Sequence, residues 1–140
     1  MAAKNPFTDF LKRYGNDWPR LVREMMGVTP DEWQDEVLRD VQSGVRGVSI
    51  RSCHGPGKSA VLSWACICFL LTRFPGKVVQ TAPSSPQLFD ALYAETRGWI
   101  NNLPPFLKEL LVVTSDRIAL KAAPDELFLS ARTSRAESPE

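Results

Sequence analysis

Along the first third of the chain, apolar positions recur every three or four residues; from Val45 onward they gather instead into short runs. In "NPFTDFLKRYG", Phe7, Phe10, Leu11 and Tyr14 share one helical face, with Asn5 as cap and Pro6 in the first turn. "NDWPRLVREMMG" repeats the arrangement through Trp18, Leu21, Val22 and Met25, and Gly27 closes it. "TPDEWQDEVLRDVQSG" opens with a capping-box pattern, Thr29 and Glu32, with Pro30 between them. Three short helices are therefore expected first, as a lid or as a partner-binding arm.

The period then changes. "VRGVSI", residues 45–50, has strand character and runs directly into a loop. Residues Ser59 to Arg73 form an apolar helix, which "FPG" breaks before a second strand, "KVVQTA". "PSSPQLFDALYAETRGWI" predicts a helix capped by Ser84 or Ser85, with Leu88, Leu92 and Trp99 on its inner side. After "LPP" come a short helix and the strand-like runs "LLVVT", "RIALK" and "LFLSAR", separated by the turns "SD" and "APDE". Strand, loop, helix, strand and helix in that order give the fold class α/β.

Charge sharpens the picture locally. The net charge of +1 over 140 residues gives no global pull toward nucleic acid. Between Gly47 and Phe89, however, there is no carboxylate, while Arg51, Lys58, Arg73 and Lys77 lie there. That suits a polyanion site, and equally a buried α/β core. Cys53, Cys66 and Cys68 have no CxxC spacing and leave one cysteine over in any pairing, the pattern of reduced, cytosolic thiols without a metal site. Residues 1–20 are charged throughout, so no signal peptide is visible. "AVLSWACICFLL" is far shorter than the roughly 20 residues a membrane span needs.

The candidate chemistry sits in "RSCHGPGKSAVLSW". A phosphate-binding loop follows the pattern Gly, four residues, Gly-Lys-Ser/Thr; here Gly57, Lys58 and Ser59 are present, but Ser52 stands where the first glycine belongs. Such loops work because backbone N–H groups at a helix N-terminus converge on phosphate and the helix dipole adds to their pull. Lys58 would reach the β- and γ-phosphates and Ser59 would hold Mg2+ through its hydroxyl. A bare Gly-Lys-Ser/Thr arises by chance in about one chain in fifteen of this length. A strand ending before it and an apolar helix beginning at Ser59 make chance much rarer. The loop ligands are then Ser52, Cys53, His54, Gly55, Pro56, Gly57, Lys58 and Ser59; Gly55 adds freedom and Pro56 removes one donor.

Four blocks, "WQDEVL", "IRSCHGPGKSAVLSW", "VVQTAPSSPQLFDALYAE" and "LFLSARTSRAESPE", together resemble the N-terminal ATPase part of phage terminase large subunits, the DNA-packaging motors of tailed phages. The likeness spans about residues 28–140, and in such terminases the loop often lacks its first glycine. It implies a P-loop NTPase-like partial sheet (residues 45–140) behind an N-terminal helical segment (residues 1–44), with ATP and Mg2+ as cofactors. It also implies that Gln34 reads the adenine edge, since a side-chain amide donates and accepts at once; otherwise Gln34 is a solvated helix residue. Many members carry arginine four residues before the loop lysine, where this chain has His54; Arg51 is a candidate substitute. Thr81, Ser84, Ser85 and Gln87 resemble a segment that contacts DNA or couples nucleotide to it, or else simply cap a helix. Arg132 and Arg135 are coupling arginines or solvated ones.

Hydrolysis also needs a carboxylate at the end of an apolar strand. Asp31-Glu32, Asp35-Glu36 and Asp125-Glu126 do not end one. In terminases that acidic strand and a nuclease domain come later, so the chain reads as the first part of such a protein, poorly folded and inactive alone. The implied partners are double-stranded phage DNA, the small terminase subunit and the portal, with a homo-oligomeric ring when full length, no membrane, and a place in the host cytoplasm. Another helicase-like P-loop ATPase, a small kinase, or a non-catalytic nucleotide- or DNA-binding remnant are the alternatives.

Overall fold

The structure is a computed structural model that describes residues 6–50 and 57–133. Helix α1 (Pro6–Tyr14) is followed by α2 (Trp18–Leu21), which widens into a π-helical turn, Val22–Met26. Asp17 caps α2 by accepting from the Arg20 N–H, and Gly27, at φ 73°, ends the turn in the left-handed conformation. Helix α3 (Glu32–Gln42) and the apolar helix α4 (Lys58–Thr72) come next. Strand β1 (Gly76–Ala82) leads to a π-helical stretch, Pro86–Leu92, that runs on into α5 (Tyr93–Asn101). A short α6 (Pro105–Lys108) precedes β2 (Leu111–Val113), β3 (Arg117–Leu120) and β4 (Leu127–Thr133).

The fold is α/β, with one four-stranded mixed sheet in the order β1-β4-β3-β2. β1 and β4 are parallel, from Gly76 opposite Leu127 to Ala82 opposite Thr133, while β4–β3 and β3–β2 are antiparallel. Along β4, Leu127, Leu129 and Ala131 are buried against the helices and Phe128, Ser130 and Arg132 turn the other way. Along β1 the same alternation buries Gln80 and exposes Lys77, Val79 and Thr81. On that outer face, Arg117 and Lys77 lie over the Phe128 ring at 4.1 and 5.6 Å from its centre.

One apolar core joins the N-terminal helices to the rest: Phe10, Tyr14, Trp18, Leu21, Val22 and Leu38 cluster with Val61, Trp64, Ile67 and Leu71 of α4 and with Ile118 and Leu129 of the sheet. The first three helices are thus built into the core. Among the described residues, no helix is long and apolar enough to cross a membrane.

Several expectations are corrected. "VRGVSI" forms no strand: among the described residues, 45–50 pair with nothing in the sheet, and Val45 stays half exposed. β-branched residues favour a strand only where a neighbour strand offers hydrogen bonds and packing. The capping box of α3 is formed by Asp31 and Gln34, two residues later than Thr29 and Glu32. Asp31 takes the extended N-cap conformation instead, and its N–H is met by the Gln34 side chain at 2.8 Å. The inward positions at Met25 and Leu92 fall instead one residue later, at Met26 and Tyr93, and Trp99 is only half buried while Ile100 is buried. Both shifts follow π-helical turns, whose wider spacing rotates every later side chain.

Candidate phosphate-binding site

α4 and β1 are joined by only three residues, and since Gly76 lies against Phe69 while Gln80 reaches Cys66, the strand runs back along the helix. Fifteen helical residues span about 22 Å, and seven strand residues span about 23 Å. The start of α4 therefore lies level with the end of β1, at the carboxyl end of the parallel pair, where open α/β sheets hold ligands.

At that end Gly57 caps α4 with φ 120°, and among the described residues no side chain caps the helix or places an acid in its first turn. A non-glycine residue would be strained there. Space is closed as well: a Cβ on Gly57 would stand 2.9 Å from Gln34 Nε2 and 3.3 Å from the Trp33 ring. Lys58 and Ser59 follow, both partly buried. The Gly57 carbonyl accepts from the Val61 N–H at 3.0 Å, the first bond of the helix. The N–H groups of the first turn point outward without helical partners, a set of donors suited to an anion.

Gln34 comes to the same place from α3. Its Oε1 accepts from the Asp31 N–H at 2.8 Å and its Nε2 donates to the Gly57 carbonyl at 3.0 Å. Only 5% of the residue is exposed. Of the sequence-derived site residues, Gln34, Gly57, Lys58 and Ser59 are thus brought together, while Ser52, Cys53, His54, Gly55 and Pro56 lie outside the described residues, as do Arg51 and Arg135. Thr81 and Arg132 stand side by side in register at the carboxyl end of β1 and β4, both exposed, with Arg132 Nε donating to Ser130 Oγ at 3.1 Å. Ser84 acts locally, its hydroxyl 3.4 Å from the Gln87 N–H and its carbonyl accepting from Leu88; Ser85 and Gln87 are exposed.

Asp125-Glu126 lies at the opposite end. The Glu126 carbonyl accepts from the Gly76 N–H, where β1 begins, and Asp125 is almost wholly exposed, 3.6 Å from Arg117. That places the pair a whole strand length from Lys58.

Two features were not evident from sequence. Trp33 packs against Gly57, and its position next to Gln34 was the available signal. A buried polar set also ties α4 to β1 and α5: Gln80 Nε2 donates to Thr96 Oγ1 at 2.8 Å, and the Thr96 and Ser63 hydroxyls are 2.9 Å apart. Thr96 also reaches the Leu92 carbonyl at 3.0 Å, whereas Gln80 Oε1 has no partner among the described residues. Nearby, burial pushes the Cys66 thiol up and the Cys68 thiol well above the ordinary thiol range, so both stay protonated.

No protein-family model matches the chain. A probable terminase large subunit of Enterobacteria phage P7 is 30% identical to it over 105 residues, which is 72% of this chain and 21% of that protein. The chain thus spans about a fifth of the length of the curated relative it matches. The terminase likeness read from the sequence is borne out by this comparison: over most of its length the chain is similar to a terminase large subunit.

Proposed function

We propose that this chain forms the ATP-binding part of a phage DNA-packaging motor of the terminase large-subunit kind. The observation that carries the reading is the start of α4, where a left-handed Gly57, then Lys58 and Ser59, open a helix that no described side chain caps, at the carboxyl end of a parallel strand pair. The likeness to the phage P7 protein supports it.

The donor set fits a nucleoside triphosphate with its Mg2+. First-turn N–H groups would bind phosphate oxygens, the Lys58 ammonium would reach the β- and γ-phosphates, and the Ser59 hydroxyl would hold the ion. Among the described residues no three His, Cys, Asp or Glu side chains converge on a metal position. Bound ATP supplies a transferable γ-phosphoryl group. In the complete motor its hydrolysis would drive double-stranded DNA, in the host cytoplasm, with the small subunit and portal as partners of a homo-oligomeric ring.

Replacing Lys58 tests the site. Lys58→Ala removes a charge-assisted contact to phosphate, so a fluorescent ATP analogue binds about tenfold more weakly or worse. Equal affinity in wild type and variant, with unchanged circular dichroism, removes the assignment.

A further inference from the structure

Gln34 is bound into the protein on both sides of its amide. The oxygen takes the Asp31 N–H and closes the capping box of α3; the nitrogen gives a proton to the carbonyl of Gly57, the residue that opens α4. That carbonyl also receives the Val61 N–H, so one oxygen carries both the first bond of α4 and the tie to α3. Fixing the direction of this carbonyl fixes the peptide plane between Gly57 and Lys58, and with it the aim of the Lys58 N–H. The same amide, with Trp33, fills the space where a Cβ on Gly57 would stand. With 5% of its surface exposed, Gln34 presents little of its amide to a nucleobase.

We infer that Gln34 is a positioning residue of the phosphate site, holding its Gly57 end from α3 whatever base the nucleotide carries. This rests on the proposed triphosphate-binding role and specifies how that site is kept in shape. The ligand that senses Gln34 is the polyphosphate, so ATP, GTP and inorganic tripolyphosphate should all lose affinity together when the tie is cut.

The experiment compares wild type, Gln34→Ala, Gln34→Glu and Lys58→Ala, each checked for folding by circular dichroism. Binding of ATP, GTP and inorganic tripolyphosphate is measured for each, together with amide exchange of Val61 in the unliganded chain. Gln34→Ala is expected to weaken all three ligands by the same factor, about threefold or more for a lost hydrogen bond to a backbone carbonyl. Val61 exchange should quicken while Leu70 and Leu71, at the far end of α4, keep their rates. Gln34→Glu should behave alike near neutral pH, because a carboxylate cannot donate to Gly57. Its affinity relative to wild type should recover as pH falls toward the ordinary carboxyl value of about 4.3, where the protonated acid donates again. A residue that merely stabilised α3 would lower the melting temperature without that pH-dependent rescue. Loss confined to ATP overturns the inference in favour of base reading, and unchanged Val61 exchange overturns it outright. If Lys58→Ala leaves every affinity unaltered, the phosphate-site reading falls, and the Val61 exchange still decides what Gln34 holds.

Discussion

Arg73 lies with its guanidinium carbon 5.2 Å from the centre of the Trp18 ring, at the end of α4 farthest from Lys58. The same guanidinium donates to the Gly15 carbonyl at 2.9 Å and to the Gln42 carbonyl at 3.1 Å. Trp18 in turn donates from its indole to Thr72 Oγ1 and from its backbone to Gln42 Oε1. Gly15, just past α1, and the elements α2, α3 and α4 thus meet at one polar knot over a buried indole. The N-terminal helices are held at both ends of α4: here by Arg73, and at the other end by Gln34.

Trp18→Ala should therefore cost far more than an arm resting on the surface would. The indole is 1% exposed, and deleting a buried tryptophan costs about 3–5 kcal/mol. Chemical denaturation should show a single transition at much lower denaturant. Arg73→Lys keeps the charge but not the planar fork that reaches two carbonyls, and should cost about 1–2 kcal/mol.

Gly57→Ala should damage the phosphate site more than the fold. The added Cβ demands φ 120° of an alanine and presses on Gln34 Nε2 at 2.9 Å. Relief comes from rotating the Gly57 peptide, which breaks the tie to Gln34 and turns the Lys58 N–H aside. Triphosphate affinity is expected to fall about as far as in Lys58→Ala, about tenfold, with helix content retained by circular dichroism.

The buried polar set gives a sharper test of packing. Thr96→Val keeps the shape and removes the hydroxyl, leaving Gln80 Nε2 and Ser63 Oγ without that partner in the core. Unmet buried polar groups cost about 1–3 kcal/mol. Adding Gln80→Met removes the amide, including the Oε1 atom that already lacks a partner, and should restore part of the loss. A double variant less stable than Thr96→Val alone would contradict this account.

Both tyrosines should ionise late. Burial raises Tyr14, with its hydrogen bond to Glu24 adding to the effect, and burial pushes Tyr93 up to about 12. Tyr93 also donates its hydroxyl to the Thr114 carbonyl at 2.8 Å. Unfolded tyrosine ionises near pH 10, at about 10 on the ordinary scale. Because the folded value is the higher, the native state holds the proton longer; this stability is complete below about pH 10 and is lost as pH rises toward 12. The chain has two tyrosines, so phenolate absorbance of the folded protein should lag that of the denatured protein throughout this window.

Much of the sheet and helix order was legible in the sequence, because those elements announce themselves through neighbours in the chain. "KVVQTA", "LLVVT", "RIALK" and "LFLSAR" all became strands, bounded by the expected turns. What stayed hidden depended on distant partners or on backbone geometry. "VRGVSI" has strand composition, yet composition does not supply a paired neighbour. Met25 and Leu92 were one residue out of phase because a π-helical turn leaves no mark in a helical spacing pattern. At the site, Gly57, Lys58 and Ser59 were legible from a local motif. The second capping box was present in the same sequence, as Asp31 and Gln34, but choosing it over Thr29 and Glu32 required knowing that the Gln34 amide has Gly57 to bind.

The order β1-β4-β3-β2 gives the sheet two unlike margins. At one side stands β2, three residues long, too short to template much of anything. At the other stands β1, seven residues long and bonded among the described residues to β4 alone. Since the Gly76 N–H already faces β4, alternation turns the backbone groups of Lys77, Val79 and Thr81 away from β4. The sheet is therefore polar in the sense a growing filament is polar. It has a short margin and a long one, and the long one is the strand that finishes level with Lys58.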